Sequence, residues 1–167
     1  MKVLSNDLAS PELLDDGEAG VRARAAASLA VQTSKRAEFF ADGLVLGYGY
    51  GDAAAAQAPT PDIYLPVAAP GNRLPHSRNA AGTSVYDLLG SEFTVLGGDP
   101  ESWTDAAARR GVPLVHLDPA AHGFAPVAGD DVVLVRPDQH IAWIGPSSAE
   151  PEDALESAVR GFGPHPH

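Results

Sequence analysis

The chain of 167 residues contains no cysteine, which removes disulfides, thiolate metal sites and Cys-x-x-Cys redox chemistry. Basic residues are scarce as well: 11 Lys and Arg stand against 22 Asp and Glu, a formal charge of -11 at pH 7. Such a surface repels polyanions, so neither nucleic acid nor an anionic membrane is an expected partner. No apolar stretch reaches the roughly 18–20 residues of a membrane span, and residues 1–10 have no basic start followed by an apolar run. The expected location is cytoplasmic. Internal repeats and low-complexity tracts are missing too. The six histidines include no i, i+4 pair, and His165 and His167 sit in a terminal Gly-Pro-His-Pro-His, so no metal site is expected.

What remains is enough for one core. Hydrophobic residues make up 44% of the chain, and a chain of this length buries roughly 70% of its unfolded surface. Residues 1–20 read as an acidic, weakly patterned leader. From Val21 to Ala41 the residues Val21, Ala25, Leu29, Gln32, Arg36 and Phe40 recur at helical spacing among alanines, which predicts a helix that Gly43 stops. The rest of the 21–82 segment is rich in Gly and Pro, with Gly47-Tyr48-Gly49-Tyr50-Gly51 and Pro59, Pro61, Pro66, Pro70 and Pro75. It predicts a long ordered loop that must lie on something.

Residues 83–163 change character. Ser84–Leu89 and Glu92–Leu96 read as two extended pieces joined at Gly90. Asp99 and Pro100 open a helix to Arg110 that Gly111 closes, and Val112–Leu117 is a β-rich run. Val132–Arg136 and His140–Ile144 flank Pro137-Asp138-Gln139 as an antiparallel hairpin, and Glu150–Phe162 carries a helical stripe of Leu155, Ala158, Val159 and Phe162. Strand, helix, strand, then hairpin and C-terminal helix is the order of an α/β, thioredoxin-like fold; residues 164–167 are a tail. A flavodoxin-like sheet would need a helix where Pro137-Asp138-Gln139 leaves no room.

Five segments in order resemble one family. Pro70-Gly71-Asn72-Arg73-Leu74-Pro75-His76 is similar to the Pro-Gly-x-Arg-x-Pro-His element of the FAD-dependent aromatic and polyketide hydroxylases of the para-hydroxybenzoate and phenol hydroxylase type. Leu46-Gly47-Tyr48-Gly49-Tyr50 resembles their Leu-Gly-Tyr-x-Tyr, and Tyr86-Asp87-Leu88-Leu89-Gly90 their Leu-Asp-Leu-x-Gly. Gly111-Val112-Pro113-Leu114 also follows a helix as it does there. Leu134-Val135-Arg136-Pro137-Asp138-Gln139-His140-Ile141-Ala142-Trp143 resembles their C-terminal hairpin. The likeness covers about 21–144 and implies the hydroxylase's thioredoxin-like tail. The family's Gly-x-Gly-x-x-Gly, which brings backbone N–H groups to the FAD pyrophosphate, has no counterpart here. Gly51-Asp52-Ala53-Ala54-Ala55 imitates the second flavin motif but lacks its histidine. No cofactor is expected.

Each residue that could carry chemistry also has a plainer reading. Arg73 could pair with a carboxylate, Asp87 being the expected buried partner, and His76 could shuttle a proton. Alternatively, both pin a proline-stiffened loop. Ser102, at the turn where thioredoxins hold their reactive pair, reads as a helix-capping neighbour of Asp99, and Trp103 as a packing residue. Arg136, Asp138 and His140 cluster at the hairpin, most simply as a turn held by Asp138. Leu46, Tyr48, Tyr50 and Tyr64 read as an interface, which the resemblance implies for the segment joining tail to body. The leading expectation is a non-catalytic accessory or dimerisation module, a homodimer or the partner of a flavoprotein hydroxylase. Its rivals are a small stand-alone enzyme or binding protein for an aromatic, polyketide-type small molecule, using His76, Arg73 and Tyr50, and a fragment of a flavin monooxygenase.

Overall fold

A computed structural model describes residues 10–50 and 62–160. Gly51–Ala55, Pro59, Pro61, Phe162, His165 and His167 lie outside that set. Helix α1 spans Glu18–Phe39 and the short α2 spans Asp42–Val45. Strand β1 (Phe93–Leu96), helix α3 (Pro100–Arg110) and strand β2 (Leu114–Leu117) form the crossover unit. Strand β3 (Val132–Val135), strand β4 (Ile141–Gly145) and helix α4 (Pro151–Arg160) complete the fold. The sheet order is β2-β1-β3-β4, with β1/β2 parallel and the other pairs antiparallel. This is the α/β, thioredoxin-like arrangement expected from the element order.

Strand alternation splits the core in two. Val95, Val132 and Leu134 face α3 and α4, where Trp103, Ala106, Ala107, Leu155 and Ala158 close the layer. Leu96, Val133, Val135 and Ile141 face the opposite way, and there Leu74, Val85, Leu117 and Phe124 cover them. The part of the Gly/Pro-rich segment around Ala68 and Leu74 therefore lies on the second face of the sheet, in place of a further helix.

Local chemistry explains the boundaries. The Asp99 side chain accepts from Ser102 N, Pro100 stands in the first turn, and Gly111 ends α3 at φ 64°. The stretch Ser84–Leu89, expected as extended, instead holds a 3-10 helix over Val85–Leu88. The Ser84 side chain accepts from Tyr86 N, and Ser84 N donates to Asp87 Oδ2 at 2.9 Å. This reciprocal cap satisfies backbone groups that a strand would have needed a neighbour to satisfy.

Helix α1 spans 22 residues. Its predicted apolar face points outward: Val21 is 59% and Leu29 65% exposed, while Gly20 and Ala27 are buried on the other side. Small residues win the inner face because they admit close backbone approach. A Cβ at Gly20 would meet the Asp15 carbonyl at 1.7 Å. That contact and the Arg24 guanidinium, donating to the carbonyls of Leu13 and Asp15 at 2.9 Å each, hold a 3-10 turn at Pro11–Leu14 against α1. Nor does Gly43 stop the helix; it is buried within α2, two residues beyond Ala41.

Helices α3 and α4 are joined by Arg109 to Glu152 and by Arg110 to Glu156, which Arg160 also contacts. Hydrogen bonds from Arg109 and Arg110 hold the Glu152 and Glu156 carboxyls below the ordinary value of 4.5. A carboxylate whose folded value is depressed stabilises the fold above its unfolded value and loses that contribution as pH falls through the folded one. The pairs are solvent-screened and their effect is small. The expected result is that E152Q/E156Q is slightly less stable than wild type at pH 7 and that the gap closes as pH falls below about 4. Urea denaturation at pH 7, 5 and 3 checks this, and a gap that widens on acidification contradicts it.

Candidate functional site

Three backbone segments meet beside the hairpin. Gly71 N donates to Ile141 O and Ile141 N to Asn72 O, each at 2.8 Å, and Leu74 N donates to Gln139 O at 2.8 Å. On the far side Tyr50 N donates to Gly71 O at 2.8 Å. The Pro70–His76 element thus shields part of the β4 edge and carries the Tyr48–Tyr50 segment on its own outer side. Asn72 is buried, its Nδ2 donating to Val67 O at 3.2 Å.

The hairpin turn is a hydrogen-bonded β-turn followed by a residue of positive φ. Gln139 N donates to Arg136 O at 2.9 Å, Arg136 N to His140 O at 2.8 Å, and Gln139 stands at φ 69°. Glycine or asparagine is the usual occupant of such a position. Here the side chain has a use, since Gln139 Oε1 accepts from both Nε and Nη2 of Arg73. The Arg73 guanidinium lies 4.8 Å from the centroid of the Tyr86 ring, and the Tyr86 hydroxyl donates to Leu74 O. Burial raises the Tyr64 and Tyr86 phenols above their ordinary value, and the Arg73 charge works against that rise in both. The expected Arg73–Asp87 pair does not form, because Asp87 is spent on the cap of its own 3-10 helix.

His76 Nε2 is 3.0 Å from Ser84 Oγ, and its ring is 5.3 Å from that of Tyr86. A serine–histidine contact invites a nucleophilic reading. Ser84 is only 6% exposed and its oxygen already caps the 3-10 helix, so the hydroxyl is closed to a substrate. Tyr50 stands apart from His76. Its ring is 4.9 Å from the His140 ring and 5.3 Å from the Arg136 guanidinium. Arg136 pairs with Asp138 at 2.9 Å, and Asp138 Oδ1 accepts from His140 N at 3.2 Å, which is how the acid holds the turn. Pro137 supplies the fixed φ that opens it. Among the residues expected at an interface, Tyr48 is 56% exposed, whereas Leu46, Tyr50 and Tyr64 are half-buried within the chain. Trp143 packs 5.9 Å from the buried Trp103.

Two participants escaped the sequence reading: Gln139, read only as turn filler, and His116. A non-glycine third residue in Pro-Asp-x at a tight hairpin was the available signal for the first. His116 Nε2 faces the carbonyl oxygens of Gly97 and Gly98 at 3.1 and 3.2 Å, so it must carry the proton and donate. It braces the turn where thioredoxins place their thiols. Nothing in the sequence near His116 announces that partnership across β1 and β2.

Residues 67–164 match the model of the aromatic-ring hydroxylase C-terminal domain. The chain belongs to this family. A phenol 2-monooxygenase of a Pseudomonas species is 31% identical over 172 aligned positions, spanning 85% of this chain and 28% of that enzyme. The FAD-dependent monooxygenase apdD of Emericella nidulans is 35% identical over 61% of this chain and 18% of its own length. Among solved structures, the rebeccamycin biosynthetic enzyme RebC with reduced flavin superposes with a TM-score of 0.68 at 35% identity, over 92% of this chain and 31% of RebC. This aromatic-ring hydroxylase C-terminal domain therefore spans only 18–31% of the length of these relatives.

Relatives that use FAD raise the question of whether the described residues fit it. The one strand-to-helix turn with paired glycines, Gly97-Gly98, leads into a helix N-terminus occupied by the Asp99 carboxylate, followed by Pro100, which has no N–H, and by Glu101. A pyrophosphate needs free N–H groups and no competing anion. This turn does not fit FAD. The purified chain is expected to be colourless, and a 450 nm flavin band that survives desalting would contradict this. No insulin-disulfide reduction above a buffer blank is expected either, since no thiolate exists to attack.

Proposed function

We propose that the chain acts as a non-catalytic, thioredoxin-like accessory module that docks on the FAD-binding body of an aromatic hydroxylase through α1, α2 and the Tyr48 turn. The observation that carries this reading is the outward apolar face of α1. Val21 and Leu29 lie eight residues apart on one side of a 22-residue helix whose main contact with a described element is the Pro11–Leu14 turn. Leu44 and Val45 are 65% and 68% exposed just beyond it. Exposed apolar side chains gathered on one element are the usual mark of a surface that is covered in use. RebC aligns over 92% of this chain, so a relative holds a counterpart of nearly all of it within a chain about three times as long.

The test mixes the chain with a relative's flavoprotein portion, cut ahead of its C-terminal domain, and follows association by sedimentation velocity. A complex that Leu29→Asp and Val45→Asp each weaken by tenfold or more is expected, since a charge on a buried interface residue costs more than a kilocalorie. No complex, or one indifferent to both variants, refutes the docking reading.

A second reading, a homodimer, draws on charge. Helix α1 carries Arg22, Arg24, Lys35 and Arg36 against Glu18 and Glu38 in a chain of net charge -11. It is thus complementary to the acidic remainder of a second copy. Light scattering coupled to size exclusion at about 1–100 µM, at or above the micromolar-to-picomolar dissociation constants of standard-sized interfaces, separates the two. A constant monomer mass rules out the dimer.

A further inference from the structure

We propose that Arg73, backed by the Tyr86 ring, forms a recognition site for the carboxylate of a small aromatic acid. The guanidinium has five N–H donors in a rigid fork. Two of them, on Nε and Nη2, go to Gln139 Oε1. The end-on edge remains, with one N–H from each Nη nitrogen running parallel, which is the geometry that takes a carboxylate through two bonds at once.

No carboxylate of the described residues lies within ion-pair distance of Arg73, although the chain holds 22 acidic residues. Asp87, the partner expected from the sequence, is turned to its own helix cap. The ring of Tyr86 backs the guanidinium at 4.8 Å, and the half-buried Tyr64 feels the same charge. A cation lying on one aromatic face suits an acid whose own ring can stack beside the fork.

The partner that orients Arg73 is itself held at a backbone cost. Gln139 stands at φ 69°, where a glycine would sit without strain. Strain kept at a position whose side chain aims a cation is expected of a site that uses the cation. This inference uses residues separate from the α1 face, so either reading can fail without the other.

The experiment titrates the full chain with benzoate, acetate and benzyl alcohol by saturation-transfer NMR and calorimetry. Expected is saturable benzoate binding, acetate at least tenfold weaker, no binding of benzyl alcohol, and a loss of tenfold or more in Arg73→Gln. Gln139→Glu places a carboxylate on the fork. It should abolish benzoate binding while leaving the thermal melt near that of wild type, so that a poorly folded Arg73→Gln does not decide the matter. Absence of benzoate binding overturns the proposal, as does equal affinity for acetate or undiminished binding in Gln139→Glu. If Arg73→Gln instead weakens only the complex with a flavoprotein portion, the carboxylate belongs to a protein partner and the small-acid site is refuted.

Discussion

Leu74→Ala is expected to cost about 2–5 kcal/mol, the range for removing a fully buried leucine side chain and leaving a cavity behind. Leu74 is wholly buried against Val85, Leu96, Val133, Val135 and Ile141, at the centre of the Pro-Gly-x-Arg-x-Pro-His element. Its N–H bonds to Gln139 O, and its carbonyl takes the Tyr86 hydroxyl. The side chain therefore pins the motif to the sheet, while Arg73 and His76 on either side of it remain accessible. Against a total stability of about 5–15 kcal/mol, the loss is large. Urea denaturation with an exposed-residue control, Leu44→Ala, checks it. A Leu74→Ala midpoint no lower than that of the control would mean that the motif is not anchored through this residue.

The second large effect is expected at the turn between β1 and α3. Gly97 and Gly98 both have left-handed backbone, at φ 82° and 74°, and each would strain an alanine by about 1–2 kcal/mol. Their surroundings differ. A Cβ at Gly97 meets nothing within 4 Å, whereas one at Gly98 would come within 2.7 Å of Trp103 Nε1 and 3.1 Å of Val132 Cγ2. The indole is 3% exposed and wedged against the core, so it has nowhere to retreat, and overpacking adds roughly 1–3 kcal/mol. Gly98→Ala should thus lower the melting temperature by several degrees more than Gly97→Ala, at roughly 2–4 °C per kcal/mol for a chain of this size. Equal losses would show that backbone conformation alone sets the cost.

How much of this was legible in sequence depended on whether a signal was local. Helix α3 was readable to the residue, because Asp99, Pro100 and Gly111 act within one turn of the backbone they terminate. The hairpin was readable because Pro137-Asp138 sits between two apolar runs that alternate onto opposite faces of the sheet. The Val85–Leu88 turn was misread since its apolar residues mimic a strand, while the informative pair, Ser84 and Asp87, has the spacing of a cap. In α1 the periodicity was real and its direction was not legible. Val21 and Leu29 announce an apolar face but not whether this chain or another covers it.

The same division runs through the candidate site. Absence of cysteine, the acidic balance and the five ordered motifs are properties of the chain itself; they exclude thiol chemistry and point to the family that residues 67–164 match. No tertiary contact is needed to establish them, because composition and short-range order survive unfolding. Which partner Arg73 finds was decided only in three dimensions. Asp87 and Gln139 are both chemically suitable, and the choice turns on a reciprocal cap that consumes the first and a left-handed turn, 66 positions along the chain, that presents the second. Side-chain pairing across that distance depends on strand register and backbone direction, which residue type alone does not encode.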